Sequence, residues 1–275
     1  MNQQTFIEQR KAYRVRHELK FRTITVSEVQ LLSPTLKRIV FTGESLKDFV
    51  SASFDDHIKM FFYADPEHAV VIPTFSERGL EFPNPEDKPV ARDYTPRYFD
   101  ADQGTLTIDF VLHDTGYATR WAKQAKVGQQ LGIGGPRGSM VQPLVFDHYV
   151  LIGDDTAIPA IARRLQELPA TSHAHVWIEV ESEQDQITLL SAAQTQIHWL
   201  YRNAQDAGQA DGFVAALAQY QFPAQDFHTW IAAETHVARQ LRKEMLEQHG
   251  AQKQWTKASG YWKKGNPGAH DSIED

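Results

Sequence analysis

The densest chemistry in this sequence lies in Arg92-Asp93-Tyr94-Thr95-Pro96-Arg97. A guanidinium can grip a pyrophosphate bidentately, a phenol ring can stack on a flat heterocycle, and a hydroxyl or backbone amide can bond a ring nitrogen. In an extended strand Arg92 and Tyr94 share one face and Thr95 takes the other, unless a twist or bulge brings the hydroxyl back. Those three functions are what a flavin needs. The same spacing also suits a solvated arginine beside a half-buried tyrosine on an edge strand.

Other candidates are weaker when taken singly. Gly153-Asp154-Asp155-Thr156 follows a strand and opens a helix, the right place for a nucleotide, yet it lacks G-x-G-x-x-G. Asp155 or Thr156 could equally cap that helix. Gly132-Ile133-Gly134-Gly135-Pro136 is no dinucleotide fingerprint, because no helix starts after it, and it reads as a barrel turn. Arg202 follows a strand, where it has two roles open to it, partner to a 2′-phosphate or surface arginine. Lys59 stands among apolar neighbours in His57-Ile58-Lys59-Met60-Phe61, and Lys263-Lys264 follow the aromatic pair Tyr261-Trp262. These lysines stand out in a chain of net charge −7. They could draw an anionic ligand, or be a snorkelling edge residue and a solvated tail. The closest histidine pair, His173 and His175, shares a strand face but has no evident third ligand, so no metal site is expected.

Two kinds of element must position these residues. Thr23–Val29, Leu36–Phe41, His57–Tyr63, Ala91–Tyr98 and Leu106–Leu112 show strand patterning, broken by Ile72-Pro73 and Phe82-Pro83-Asn84-Pro85. With one helix at Thr119–Lys126 and a strand near Gln130–Ile133, they predict an antiparallel β barrel over residues 1–145. From 146 to 275 the rhythm alternates: strands Tyr149–Gly153, His175–Val180, Ile197–Tyr201 and His228–Ala233, with helices Ala157–Leu168, Gly212–Tyr220 and His236–Gln248. That order predicts an α/β unit on a parallel sheet with right-handed crossovers. The end of the chain, from Lys253, reads as an aromatic and basic tail with an acidic, frayed end.

Composition limits the chemistry further. The net charge of −7 argues against nucleic acid and anionic lipid as partners, and zero cysteines exclude disulfides, thiolate nucleophiles and cysteine-ligated clusters. No signal-peptide core or run of about 18 apolar residues is present, so neither a leader nor membrane insertion is expected, and a cytoplasmic protein is.

In order and spacing, Arg92-Asp93-Tyr94-Thr95-Pro96-Arg97, Thr107-Ile108-Asp109-Phe110-Val111-Leu112-His113 and Ala118-Thr119-Arg120-Trp121-Ala122 resemble the siderophore-interacting proteins, FAD-dependent ferric-siderophore reductases of the ferredoxin-reductase type. Gly153-Asp154-Asp155-Thr156-Ala157-Ile158-Pro159-Ala160 is similar to that family's D-E-T-A-x-P-A segment, and Ser259-Gly260-Tyr261-Trp262-Lys263-Lys264-Gly265 to its carboxyl-terminal G-Y-W signature. Where the family more often has G-P-A-S, this chain has Gly116-Tyr117-Ala118-Thr119, keeping the small residue and the hydroxyl.

The resemblance implies an FAD-binding barrel followed by an NAD(P)H-binding α/β domain. It assigns Arg92 and the Ala118 and Thr119 amides to the FAD pyrophosphate, Tyr94 to a flank of the isoalloxazine, and Thr95 to its N5 edge. Asp109 and His113 would lie near the ribityl or diphosphate part, or form a structural strand-end pair. Asp154, Thr156 and Ala157 fall to nucleotide binding, Trp262 to cover one flavin face or pack the tail, and Lys59, Lys263 and Lys264 to an anionic ferric siderophore. NADH, NADPH or a reduced ferredoxin would be the donor, and a monomer is expected. No catalytic base is called for, because electron transfer through a flavin carries the reaction. A general flavin reductase with a different acceptor, or a binding protein without redox work, are the competing readings.

Overall fold

The computed structural model describes residues 7–77, 79–84, 86, 88–224 and 226–273. The chain divides into two compact units, Arg14–Val141, and Gln142–Asp275 joined by the start of the chain up to Tyr13. The sequence assigned all of residues 1–145 to the barrel. The contacts instead give the described residues before Arg14 to the second unit, where Arg10 lies 4.7 Å from the Phe146 ring centroid and 5.1 Å from that of Trp255, and pairs with Asp226 at 3.4 Å. Of the expected frayed acidic end, residues 274–275 lie outside the described residues, as does Pro85 of the turn cluster.

In the first unit seven antiparallel strands run in the spatial order Val90–Tyr94, Ile58–Phe62, Gln130–Gly134, Phe21–Ser33, Leu36–Thr42, Thr105–Val111, Tyr98–Asp100. Their inward residues, among them Ile24, Val26, Ile39, Phe41, Met60, Phe62, Ile108, Phe110 and Ile133, gather with Trp121 into one core, so the sheet curls into a barrel. The run read as Ala91–Tyr98 is two strands, because Pro96 falls between them and cannot donate to a ladder. Gly132 and Gly134, read as a turn, lie in a central strand. A side chain at Gly134 would strike the Phe21 ring at 2.7 Å, so the glycine makes room for that aromatic. Only Gly135 and Pro136, outside the strand, serve as the turn.

The second unit is a six-stranded sheet in the order Gln194–Tyr201, His173–Val180, His148–Asp154, Phe227–Glu234, Thr256–Trp262, Asp271–Ser272. The first five strands pair in parallel and the last is antiparallel. His148–Asp154, His173–Val180 and Phe227–Glu234 are buried almost throughout, as strands covered on both faces must be. The helices are Ile158–Glu167, with Pro159 in its first turn where no amide partner is lost, Asp211–Ala218 and Thr235–Gln248. Gly153 admits the first of these onto the sheet, since a Cβ there would lie 2.3 Å from that of Ala157 and 2.6 Å from the Ala232 carbonyl. The stretch read as a tail is in fact the fifth parallel strand, Thr256–Trp262. Its pattern of small and aromatic residues reflects burial beside Phe227–Glu234 and the helix Thr235–Gln248 rather than exposure. Among the described residues no helix is long and apolar enough to cross a membrane.

Candidate functional site

Val90–Tyr94 is an edge strand whose register sets Tyr94 against Ile58, Asp93 against Lys59 and Arg92 against Met60. Because Ile58 and Met60 belong to the barrel core, the pleat turns Arg92 and Tyr94 to the inner face and Asp93 with Lys59 to the outer one. The Tyr94 ring meets Phe110 at 4.5 Å and Phe62 at 6.0 Å between centroids. Both of those rings meet Trp121 of the helix Tyr117–Gln124, at 5.8 and 5.9 Å. Four aromatic rings thus tie the strand and the helix to one core. Burial raises the Tyr94 phenol far above its ordinary value, against the pull of Arg92, so the ring presents a neutral face. Arg92 is half-buried, and among the described residues its side chain donates to the Ala91 carbonyl at 2.8 Å, which leaves most of its five N–H groups for a ligand. Thr95 follows and is buried.

The helix begins at Gly116, whose φ of 117° is a conformation that glycine adopts freely. Its first helical hydrogen bond is Arg120 N–H to Gly116 O, so the amides of Tyr117, Ala118 and Thr119 have no partner within the helix and their dipoles favour an anion. The Thr119 hydroxyl is already engaged: it accepts from the His113 amide at 3.2 Å and donates to Val111 O at 3.3 Å, fastening the helix to the strand before it. His113 itself is exposed. Asp109 is enclosed, with both oxygens accepting from Arg38 at 2.7 Å and Arg97 4.0 Å away, so its carboxylate braces neighbouring strands. Arg92, Tyr94 and the helix start are suited to FAD in their donor set: a guanidinium with most of its donors open, two or more amides without helical partners and an aromatic face.

The second cluster lies at the carboxyl ends of the parallel strands. Asp154 ends the first strand and is the hub: it accepts from the Thr156 amide and hydroxyl, from the Glu234 amide at 3.1 Å and from the Trp262 indole at 2.8 Å. Asp154, rather than Asp155 or Thr156, caps the helix segment that follows. Burial, with Asp155 beside it, pushes the Asp154 carboxyl up to about 7, against the pull of Thr156 and Trp262. Ala157 is wholly buried and packs on Gly153. Glu234 caps the helix Thr235–Gln248 and accepts from the Lys264 amide at 3.2 Å.

Trp262 is half-buried, its ring edge 3.4 Å from where a Cβ on Gly208 would stand. Lys264 is exposed and pairs with Asp206 at 2.8 Å, while Lys263 bridges to Asn266. Arg202 donates to Asp155 at 2.8 Å and to Glu179 and Glu181 at 3.3 Å each.

The structure therefore gathers Arg92, Tyr94, Ala118 and Thr119 through one core, and Asp154, Thr156, Ala157, Trp262 and Lys264 about the carboxyl ends of the parallel strands. Lys59 stands apart on the outer face, held by Asp93 at 2.8 Å. Sequence reasoning missed Arg38, Glu179, Glu181 and Glu234. Glu234 had a legible signal, an acid directly before a helix; the others are identified only by strand register. His173 and His175 are built into a column in which His148 bonds His175 at 3.2 Å and His175 meets the Tyr220 hydroxyl.

Comparison with known proteins bears on both clusters. Residues 25–140 match the siderophore-interacting FAD-binding domain and residues 146–265 the siderophore-interacting protein domain. The NADPH-dependent ferric-chelate reductase of Escherichia coli is 38% identical over 90% of this chain and 95% of its own length. The ferric vibriobactin reductase ViuB of Vibrio cholerae is 32% identical, covering 85% of this chain and 86% of that protein. A siderophore utilization protein from T. fusca superposes with a TM-score of 0.86 at 32% identity, over 94% of this chain and 98% of the other. With its FAD-binding barrel and its parallel-sheet unit both matched, this chain belongs to the siderophore-interacting protein family.

Proposed function

We propose that this protein is an FAD-dependent reductase that takes electrons from a nicotinamide nucleotide and reduces the Fe(III) of a ferric siderophore to Fe(II), which the chelator then releases. Bound FAD supplies the conversion of a two-electron hydride donor into one-electron steps. The chain's own part is to bind, orient and exclude. In this reading Arg92 and the Ala118 and Thr119 amides would hold the pyrophosphate, Tyr94 would flank the isoalloxazine, and Thr95 would reach toward its N5 edge. Trp262, assigned to cofactor binding, is steadied by Asp154. Asp109 and His113 are assigned to support the cofactor's ribityl side at one remove, through Arg38 and Thr119. Lys59, Lys263 and Lys264 raise the local concentration of an anionic chelate. Hard oxygen ligands hold Fe(II) far less tightly than Fe(III), so no acid or base from the protein is required. The reading extends to a cytoplasmic monomer, which the cysteine-free sequence permits, with reduced ferredoxin as an alternative donor.

One observation carries the reading: on the inner face of an edge strand in an FAD-binding barrel, a half-buried arginine keeps most of its donors unspent two residues from a neutral tyrosine ring. Purified protein should be yellow. Anaerobic addition of NADH or NADPH should bleach it, and a ferric siderophore should then restore the colour with two equivalents of Fe(II) trapped per flavin. A bleached flavin that ferric chelates leave colourless while free flavin or a quinone restores it would replace this function with that of a general flavin reductase.

A further inference from the structure

The strand order of the second unit, with Gln194–Tyr201, His173–Val180 and His148–Asp154 to one side and Phe227–Glu234 onward to the other, reverses direction beside His148–Asp154. Ligands of such sheets lie across the carboxyl ends at that reversal, with the adenosine ribose by the end of the second strand. An acid there bonds the ribose hydroxyls, whereas an available arginine accommodates a 2′-phosphate. Glu179 lies near the end of this second strand and Glu181 just past it, Asp155 follows the first, and Arg202 follows the third. All three carboxylates bind the same guanidinium, through Nε, Nη1 and Nη2, which leaves two negative charges uncompensated.

The arrangement is built rather than incidental. After Arg202 the backbone takes left-handed φ angles at Asn203 (50°) and Ala204 (67°), and Glu181 holds that turn by accepting the Ala204 amide at 2.9 Å. The Arg202 side chain is 9% exposed, so its fork faces the carboxylates and not the surface. Burial alone would lower its pKa, and the carboxylates, Asp155 foremost, more than reverse that.

Building on the proposed reductase function, we infer that Asp155, Glu179 and Glu181, by capturing Arg202, make this site select a donor with a free ribose 2′-hydroxyl, NADH over NADPH. The hydroxyls donate to carboxylates such as Glu181, which is 41% exposed, whereas a 2′-phosphate meets net negative charge and an arginine already engaged. The relative from Escherichia coli is named for NADPH, so the two proteins should differ in donor.

The test uses the FAD-loaded protein. In anaerobic stopped flow, NADH should half-saturate flavin reduction at a concentration at least ten times lower than NADPH. In calorimetric titration, 5′-AMP should bind at least as tightly as adenosine 2′,5′-bisphosphate. Glu179→Gln with Glu181→Gln should leave Arg202 to Asp155 and narrow both preferences, the single Glu181→Gln should move them part of the way, and adding Asp155→Asn to the pair should free Arg202 and reverse both orders. NADPH equal to or better than NADH in the unaltered protein would overturn the inference. Should neither nucleotide bleach the flavin, the reductase reading falls, yet the titration still decides: a preference for 5′-AMP upholds the selective rim, and a preference for the bisphosphate or no binding of either refutes it.

Discussion

The two regions that concern FAD and its electron donor handle their polar groups in opposite ways. On the barrel's edge strand, Arg92 spends one described hydrogen bond on its neighbour's carbonyl, and the amides that open the helix Tyr117–Gln124 have no helical partners. On the rim of the parallel sheet nearly every polar group is answered by another. Asp154 meets four donors, Arg202 three carboxylates, and Glu234 caps a helix while accepting from Lys264. A region that leaves hydrogen-bond donors unspent is suited to a ligand held for the life of the protein. A region that satisfies itself can receive and release a ligand without leaving buried groups orphaned, because an unpaired buried group costs about 1–3 kcal/mol.

Substitutions that remove a charged group from the barrel should break this contrast most visibly. Asp109→Ala strips the buried partner from Arg38 and is expected to lower stability by about 3 kcal/mol, seen as a fall in the thermal midpoint with little change in FAD affinity once folded. A large loss of FAD with unchanged stability would move Asp109 into the site. Arg92→Ala should weaken FAD retention about 10- to 100-fold, the worth of a charge-assisted contact, measured by flavin absorbance after gel filtration. If the flavin stays bound as before, the pyrophosphate rests elsewhere.

The rim should respond to pH instead. The folded pKa of Asp154 lies above its unfolded value, so in that window the folded chain holds the extra proton. Asp154 should therefore contribute a stability that falls as pH rises from about 4 to about 7 and is flat above that. Asp154→Asn does not titrate and lacks this loss, so the thermal midpoint of the unaltered protein should fall relative to that of the variant as pH rises across the range; parallel curves would mean that Asp154 is ionised throughout it. Least affected should be Lys59→Ala. With the ammonium exposed and already paired to Asp93, FAD binding should hold and the KM for an anionic ferric chelate should rise only about 2- to 5-fold, more at low salt. A KM indifferent to the change would remove Lys59 from the substrate's path.

Much of this was legible beforehand, for physical reasons. Alternation along Thr23–Val29 and Leu36–Phe41 and the apolar run Tyr149–Gly153 gave strands of the right kind, since periodicity records which faces are buried. The barrel-then-α/β order followed from local pattern, and the shared face of Arg92 and Tyr94 from their spacing. What escaped depends on register and close packing. The strand Thr256–Trp262 hid in small residues that only a neighbouring helix makes necessary, and Gly134 read as a turn because the Phe21 ring it accommodates lies more than a hundred residues away. The pairs Arg38 with Asp109, Lys59 with Asp93, and Arg202 with Glu179 exist only once strands are set side by side.

That dependence on register has an evolutionary edge. Because the guanidinium and the phenol stand two residues apart on a pleated strand, the amino acid between them is open to replacement, but the number of residues between them is not. Inserting one residue between them would put ring and arginine on opposite faces of the sheet. Lineages carrying this barrel should thus purge length changes between positions 92 and 94, while position 93 answers to Lys59 on the other face.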